Sequence, residues 1–236
     1  MRIGKLSSLD KLPVKRYFYQ LRFKIADVIQ TQIIICSESE NEGTISVRIL
    51  LTGVGCVGKT TIGRMLSELL DVPFFDLDEE IEYFFGTSVE QLQSRFLTTH
   101  SYRDEAAIAL VHLLKRTASR HSVIALPPSG LMGGYLRAIK NSFGVTVALC
   151  DKPENILERI IFYDVDSKLI EKCLTSSEKR LYLSEIKKDI TYYRKTYDRA
   201  HLRVDISGLD PKQATLRVKQ AIEVFESQGT EQGKSE

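Results

Sequence analysis

The sequence predicts an α/β fold: one three-layer domain around a central five-stranded parallel sheet. Three observations carry this. Short apolar runs of strand length alternate with longer stretches whose apolar residues recur at helical spacing. That alternation pairs the strands in parallel and lays helices on both faces of the sheet. A glycine-rich loop joins the first run to the first helix. The 236 residues are 43% hydrophobic and 27% charged, enough apolar material for a core without disulfides or a structural metal.

The first strand is read over 45–52 (ISVRILLT), and a helix follows over 60–70 with Ile62, Met65, Leu66, Leu69 and Leu70 on one face. Residues 72–77 (VPFFDL) are the second strand. Residues 78–85 are a helix that stops at Gly86, a residue suited to the left-handed C-cap. A helix over 103–116 opens on Asp104 and Glu105 and closes on Lys115 and Arg116, the charge order its dipole favours. Residues 122–126 (SVIAL) and 145–150 (VTVALC) are the third and fourth strands. Asp151 and Pro153 open a helix that runs to 161, and 177–199 is a long, highly charged helix. Residues 202–206 are the fifth strand, and Asp210 with Pro211 opens a last helix bearing Leu216, Val218, Ile222 and Phe225.

These elements divide the chain into an N-terminal extension (1–44), the α/β domain (45–226) and a tail (227–236). The tail carries no apolar residue and is expected to be disordered. Residues 14–36 include Tyr17, Phe18, Tyr19, Leu21, Phe23 and Ile33 to Ile35, too apolar for a flexible arm. They are expected to pack on the main domain or to meet a protein partner. An acidic linker, 37–44 (SESENEGT), follows them.

Charge and cysteine usage exclude several classes. Lys plus Arg is 33 and Asp plus Glu 31, a formal net charge of +2, which argues against a dedicated nucleic-acid binder. The balance conceals a basic start: seven Lys and Arg from Arg2 to Lys24 face only Asp10 and Asp27. No stretch approaches the roughly 18 apolar residues of a membrane span, and the N-terminus lacks the apolar centre of a secretory signal. Cys36, Cys56, Cys150 and Cys173 are far apart with no C-x-x-C pair. They read as reduced, partly buried thiols of a cytoplasmic protein rather than as a zinc site or disulfide framework.

The strongest motif is Gly53-Val54-Gly55-Cys56-Val57-Gly58-Lys59-Thr60, which fits G-x-x-x-x-G-K-S/T with a strand before it and a helix after it. Its glycines let the backbone curl so that successive N–H groups point at phosphate oxygens, and the following helix adds its positive end. Lys59 supplies a mobile charge for the terminal phosphates, and the Thr60 hydroxyl is a Mg²⁺ ligand candidate. Cys56 sits beside a helix start and a lysine, a setting that lowers thiol pKa values. It reads either as a redox-active thiol or, more simply, as a small residue at a variable position.

Residues 53–64 (GVGCVGKTTIGR) followed by 72–80 (VPFFDLDEE) resemble the shikimate kinase family, whose loop has the form G-x-x-G-x-G-K-S/T-S/T-x-G-R and is followed by P-F-x-D-x-D. Gly86 to Val89, Tyr102-Arg103 and Ile156 to Arg159 are similar to later elements of that family. The resemblance spans about 46–225 and implies a P-loop kinase fold. It implies ATP and Mg²⁺ as cofactors, and a small hydroxy-acid substrate, shikimate first, in aromatic amino acid biosynthesis. Gly53, Gly55, Cys56, Val57, Gly58, Lys59, Thr60, Thr61 and Arg159 would hold the nucleotide, with Thr60 and Asp76 at the metal. Lys59 and Asp78 would be catalytic, Asp78 orienting the acceptor hydroxyl or taking its proton. Arg103 would pair with the acceptor carboxylate. N-capping is the structural alternative for Asp76 and Asp78.

The acceptor half departs from the family. Its G-G-G turn is replaced by Pro127-Pro128-Ser129-Gly130, and proline offers no N–H. Ser129 and Gly130 are the nearest replacement donors. The lid region, 162–179, has Lys168, Lys172 and Lys179 but no arginine. Tyr193 stands four residues before Tyr197, where the family has an arginine, so Arg194 and Arg199 become the candidate acceptor-site cations. Two functions follow: a small-molecule kinase, or a catalytically divergent nucleotide-binding regulatory protein on the same fold.

Overall fold

The computed structural model describes residues 48–160, 162, 163, 169, 170 and 172–232. The extension, with its apolar stretch 14–36, lies outside the described residues. In chain order the elements are β1 (Ile49–Thr52), α1 (Lys59–Leu70), β2 (Phe74–Asp76), α2 (Leu77–Phe85), α3 (Val89–Ser94) and α4 (Thr99–Lys115). Next come β3 (Val123–Ala125), α5 (Gly133–Lys140), β4 (Val145–Cys150), α6 (Pro153–Glu158), β5 (Phe162–Tyr163) and β6 (Leu169–Ile170). The last three are α7 (Ser176–Tyr197), β7 (Leu202–Asp205) and α8 (Pro211–Gln232).

The main sheet has the order β2-β3-β1-β4-β7 and every pair in it is parallel. Strand alternation builds the two layers of core. Ile49 and Leu51 enter one apolar cluster with Leu66, Val147, Val218 and Ile222, while Leu50 points the other way, into a cluster with Ile81, Leu110, Ile124 and Tyr135. Helices α1 and α8 pack on the first face, and α4 and α5 pack together on the second. Chain connections leave β1 and β4 in opposite directions along the sheet, so the crevice at their carboxyl ends is a topological switch point, where open α/β sheets place ligands. β5 and β6 form a separate antiparallel hairpin.

All five expected strands are present: β4 has the expected bounds, β2, β3 and β7 are shorter, and residues 45–47 of the first lie outside the described residues. Differences from the sequence reading have local causes. α4 starts at Thr99, earlier than 103, because the Thr98 side chain caps it by accepting from the Ser101 N–H. α3 has six residues, too few to show a period. α5, not expected from the sequence, opens on two glycines; a Cβ on Gly134 would meet the Cβ of Ala107 at 2.8 Å, so the glycine lets α5 lie against α4. α8 continues to Gln232, through the first part of the segment expected to be a disordered tail from 227; residues 233–236 lie outside the described residues. Cys56 and Cys150 are half-buried and in no disulfide; Cys173, expected to be partly covered, is exposed.

Close approach also fixes α1 against β2. A Cβ on Gly63 would stand 2.5 Å from Cε2 of Phe74. Gly63→Ala should therefore destabilise the protein by about 1–3 kcal/mol through overpacking, read as a lowered urea midpoint. Adding Phe74→Leu should recover part of the loss; no recovery would place the strain elsewhere.

Candidate functional site

The loop from Gly53 to Gly58 sits at the carboxyl end of β1, in the switch-point crevice. Gly53 has φ +147°, and a Cβ there would stand 2.7 Å from the Leu149 carbonyl oxygen on β4, so only glycine lets the loop turn so close to the neighbouring strand. Gly58, at φ +110°, is the N-cap of α1, and no side chain caps the helix. Its first amides and the positive end of its dipole face the loop, which is how such helices bind anions. Cys56 has φ +58°, left-handed backbone that costs a non-glycine residue about 1–2 kcal/mol. Val57 is buried below the loop, Gly55 is buried within it and Thr61 is exposed.

Lys59 Nζ donates to the carbonyl oxygens of Gly53 (3.0 Å) and Val54 (2.9 Å) and so lies across the loop. Burial lowers its pKa, while the carboxyls of Asp78 and Asp76 act in the opposite direction. Thr60 Oγ1 donates to Asp76 Oδ2 at 2.8 Å. The second oxygen, Asp76 Oδ1, accepts from the Asp78 N–H at 3.1 Å and caps α2. Asp76 thus does both things the sequence allowed: it is an N-cap, and it stands beside the loop threonine. Burial raises the pKa of Asp76, opposed by these two hydrogen bonds. Burial, then the charge of Asp76, pushes Asp78 up to about 8.

No group of three or more His, Cys, Asp or Glu residues is placed to hold a metal among the described residues. Thr60 and Asp76, two hard oxygen donors in contact, fit Mg²⁺, which keeps several waters and takes its other ligands from phosphate. They would not suffice for a cation that needs a full protein cage.

Arg159, just past α6, lies against the loop: Nη1 is 2.7 Å from Asp151 Oδ2 and donates to the Val57 carbonyl at 3.3 Å. The Asp151 side chain is fully buried, and its Oδ1 accepts from the Lys152 N–H and from Asn155 Nδ2, both at 2.7 Å. Sequence reading treated Asp151 only as a helix opener. Its partner eight residues on, beyond the end of a short helix, falls outside any local spacing rule.

The acceptor side is built by α4 and the turn after β3. Arg103 is buried, with Nε donating to the Thr99 carbonyl (3.0 Å) and Nη1 to Met132 Sδ (3.2 Å). Beside it, burial and the charge of Asp78 raise the pKa of Tyr102. In the turn, the Gly130 N–H donates to the Pro127 carbonyl at 2.8 Å, and a Cβ on Gly130 would stand 2.6 Å from Leu126 Cβ. Gly130 therefore has a packing role and its N–H is spent inside the turn, which corrects the expectation that it replaces a missing donor. Ser129 is buried, and its carbonyl accepts from the Met132 N–H. Tyr197 Oη donates to the Pro128 carbonyl (3.2 Å), and Arg199 Nη1 to the Leu131 carbonyl (3.1 Å).

Arg194 is exposed on α7 with no polar partner among the described residues, so the structure does not bring it to the turn. Of the lid lysines, Lys172 pairs with Glu178 at 2.8 Å, and Lys168 lies outside the described residues. No helix among the described residues is long and apolar enough to cross a membrane.

Comparison with known proteins agrees with this geometry. The family model for shikimate kinase matches residues 55–223. A shikimate kinase from Aquifex aeolicus is 30% identical over 164 residues, covering 67% of this chain and 86% of that protein. The crystal structure of shikimate kinase from that organism superposes with a TM-score of 0.56 at 28% identity, over 75% of this chain and 96% of the other. A shikimate kinase structure from Bacteroides thetaiotaomicron, at 22% identity, shares the fold with a TM-score of 0.61, over 75% and 98% of the two chains. None of these findings supports the divergent regulatory reading.

The electrostatics of the cleft generate a test. The unfolded chain releases the Asp78 proton near its ordinary value of 3.8, and the folded protein only near 8. Across that window the folded state binds more protons, so stability falls as pH rises. Asp78→Asn, which cannot ionise, should melt several degrees above wild type at pH 8 (about 2–4 °C per kcal/mol for a chain of this size). Near pH 4 the two should converge. Parallel melting curves across the whole range would remove Asp78 from this environment.

Proposed function

Since the chain belongs to the shikimate kinase family, and is thus a phosphotransferase with an alcohol group as acceptor, we propose that it transfers the γ-phosphoryl group of ATP to a hydroxyl of a carboxylated metabolite, shikimate first. The observation that carries this reading is the contact chain Lys59–loop, Thr60–Asp76 and Asp76–Asp78, which sets a phosphate cradle, a cation-binding pair and an acid side by side.

Each residue has a physical task. The loop amides and the start of α1 hold the phosphates. Lys59 exchanges its carbonyl partners for the terminal phosphate oxygens, where its charge is worth most as negative charge spreads in the transition state. Thr60 and Asp76 would hold Mg²⁺, which would supply charge neutralisation at the phosphates. Asp78 accepts the acceptor's hydroxyl proton as the new P–O bond forms and the bond to the departing ADP oxygen breaks. With its pKa pushed up to about 8, Asp78 is mostly protonated at pH 7, and a cation at Thr60 and Asp76 would shift it toward the ionised form this step needs. Arg103 Nη2, which has no partner among the described residues, is the arm offered to the acceptor carboxylate. Arg159, hydrogen-bonded to the loop carbonyl of Val57, would meet the nucleotide from that side.

Shikimate-dependent ADP release tests this. Lys59→Ala should lower turnover about a hundredfold or more. Asp78→Asn should lower it by about 10²–10⁴ with ATP affinity nearly unchanged. Arg103→Ala should raise KM for shikimate more than about tenfold and leave KM for ATP in place. ATP binding with no turnover on shikimate or on other hydroxy acids would overturn the reading.

A further inference from the structure

A second concave region lies at the opposite end of the sheet from the phosphate loop. Arg48 opens β1, and its guanidinium donates to the carbonyls of Ser119 (2.5 Å), Leu114 (3.0 Å) and Phe143 (3.4 Å) and to Ser119 Oγ. All of these partners are neutral. Beside it is a cavity of about 620 Å³ whose rim carries Lys115, Arg120 and His121. No carboxylate among the described residues pairs with any of these three. The cavity continues along the α4–α5 seam into a second hollow of about 330 Å³, sharing Val111, Ala138 and Asn141 with it. Apolar side chains are uncovered along this path: Phe143 is 94% exposed, Ile108 47% and Val111 38%. The result is a groove with a cationic end at Arg48 and an apolar end along α4.

The chain enters the described structure at that cationic end. The residues before it run in matching order. Glu38, Glu40 and Glu42 lie nearest to Arg48 with no basic residue between 37 and 47, and Ile33, Ile34 and Ile35 lie just beyond them. Glu42 stands six positions before Arg48, a reach of about 20 Å at ~3.3 Å per residue, and Ile35 reaches about 43 Å. From Lys115 to Ile108 along α4 is only about 10 Å at 1.5 Å per residue. A tethered segment also meets its site at an effective concentration of order millimolar, so modest affinity is enough.

We propose that residues 33–42 of this same chain dock in the α4–α5 groove, the three glutamates against Lys115, Arg120 and His121, and the isoleucines against Ile108, Val111 and Phe143. The docked segment covers the apolar face that α4 and α5 otherwise turn to water.

Amide hydrogen exchange on the full chain tests this. In wild type, amides of 33–42 should exchange at least about tenfold more slowly than an unstructured chain, independent of protein concentration. Lys115→Glu with Arg120→Glu should speed them about five- to tenfold, as should Val111→Asp. Glu38→Lys, Glu40→Lys and Glu42→Lys added to the reversed pair should restore most of the protection. Lys59-dependent ADP release, at the far end of the sheet, should persist in every variant and reports folding. Free-chain exchange in wild type, or protection that neither charge reversal nor Val111→Asp alters, overturns the proposal. Protection that rises with protein concentration would assign the groove to a second copy and overturn it equally.

Discussion

One carboxylate joins the two halves of this molecule. Asp76 ends β2, so the sheet fixes its backbone. Its two oxygens then face different tasks: one takes the hydroxyl proton of Thr60 on α1, the other the first free amide of α2. Through it the phosphate loop and the residue that opens the acceptor cleft share a single rigid reference. The arrangement places Asp76 and Asp78 close together under partial cover, and both carboxyls hold their protons more tightly for it. A divalent cation at Thr60 and Asp76 would reverse that balance locally, since a nearby positive charge favours the ionised form. Charge, capping and metal affinity therefore trade against one another at one side chain.

Much of this was legible in the sequence because it rests on local rules. The loop from Gly53 to Thr60 declares itself by residue type and spacing, and the Asp76–Asp78 pair by its place at a strand end. Arg159 lies against the loop through the Val57 carbonyl. What was hidden depends on contacts between distant segments. Nothing near Met132 in sequence announces that its sulfur meets Arg103, twenty-nine residues away. The ion pair of Arg159 with Asp151 crosses the end of a short helix. Gly130 looked like a donor because glycine often is one; its steric contact with Leu126 is visible only once the turn is built. Gly134, which lets α5 lie against Ala107 of α4, likewise shows its packing role only in three dimensions.

The acceptor end shows how a family scaffold absorbs change. With two prolines in the turn, backbone donors are lost at 127 and 128. The turn is instead held from outside, by the hydroxyl of Tyr197 and the guanidinium of Arg199 at the end of α7. Tyr197 donates to the carbonyl of Pro128, a group proline retains, and Arg199 to that of Leu131 just beyond. Arg199, just past α7, is thereby a brace for the turn, whereas Arg194, within α7, is exposed. The shape of this turn therefore depends on where α7 ends, and α7 begins just after the β5–β6 hairpin.

The paired prolines also bear on the thermodynamics of recognition. Each ring removes a backbone rotation before folding begins, and the carbonyl braces remove most of what remains. A substrate bound as proposed would meet at this turn a wall whose disorder has already been surrendered. Binding there should carry a smaller entropic penalty than at a triple-glycine turn, where a ligand must itself immobilise the most mobile of backbones. What the chain gives up in hydrogen-bond donors it recovers as preorganisation.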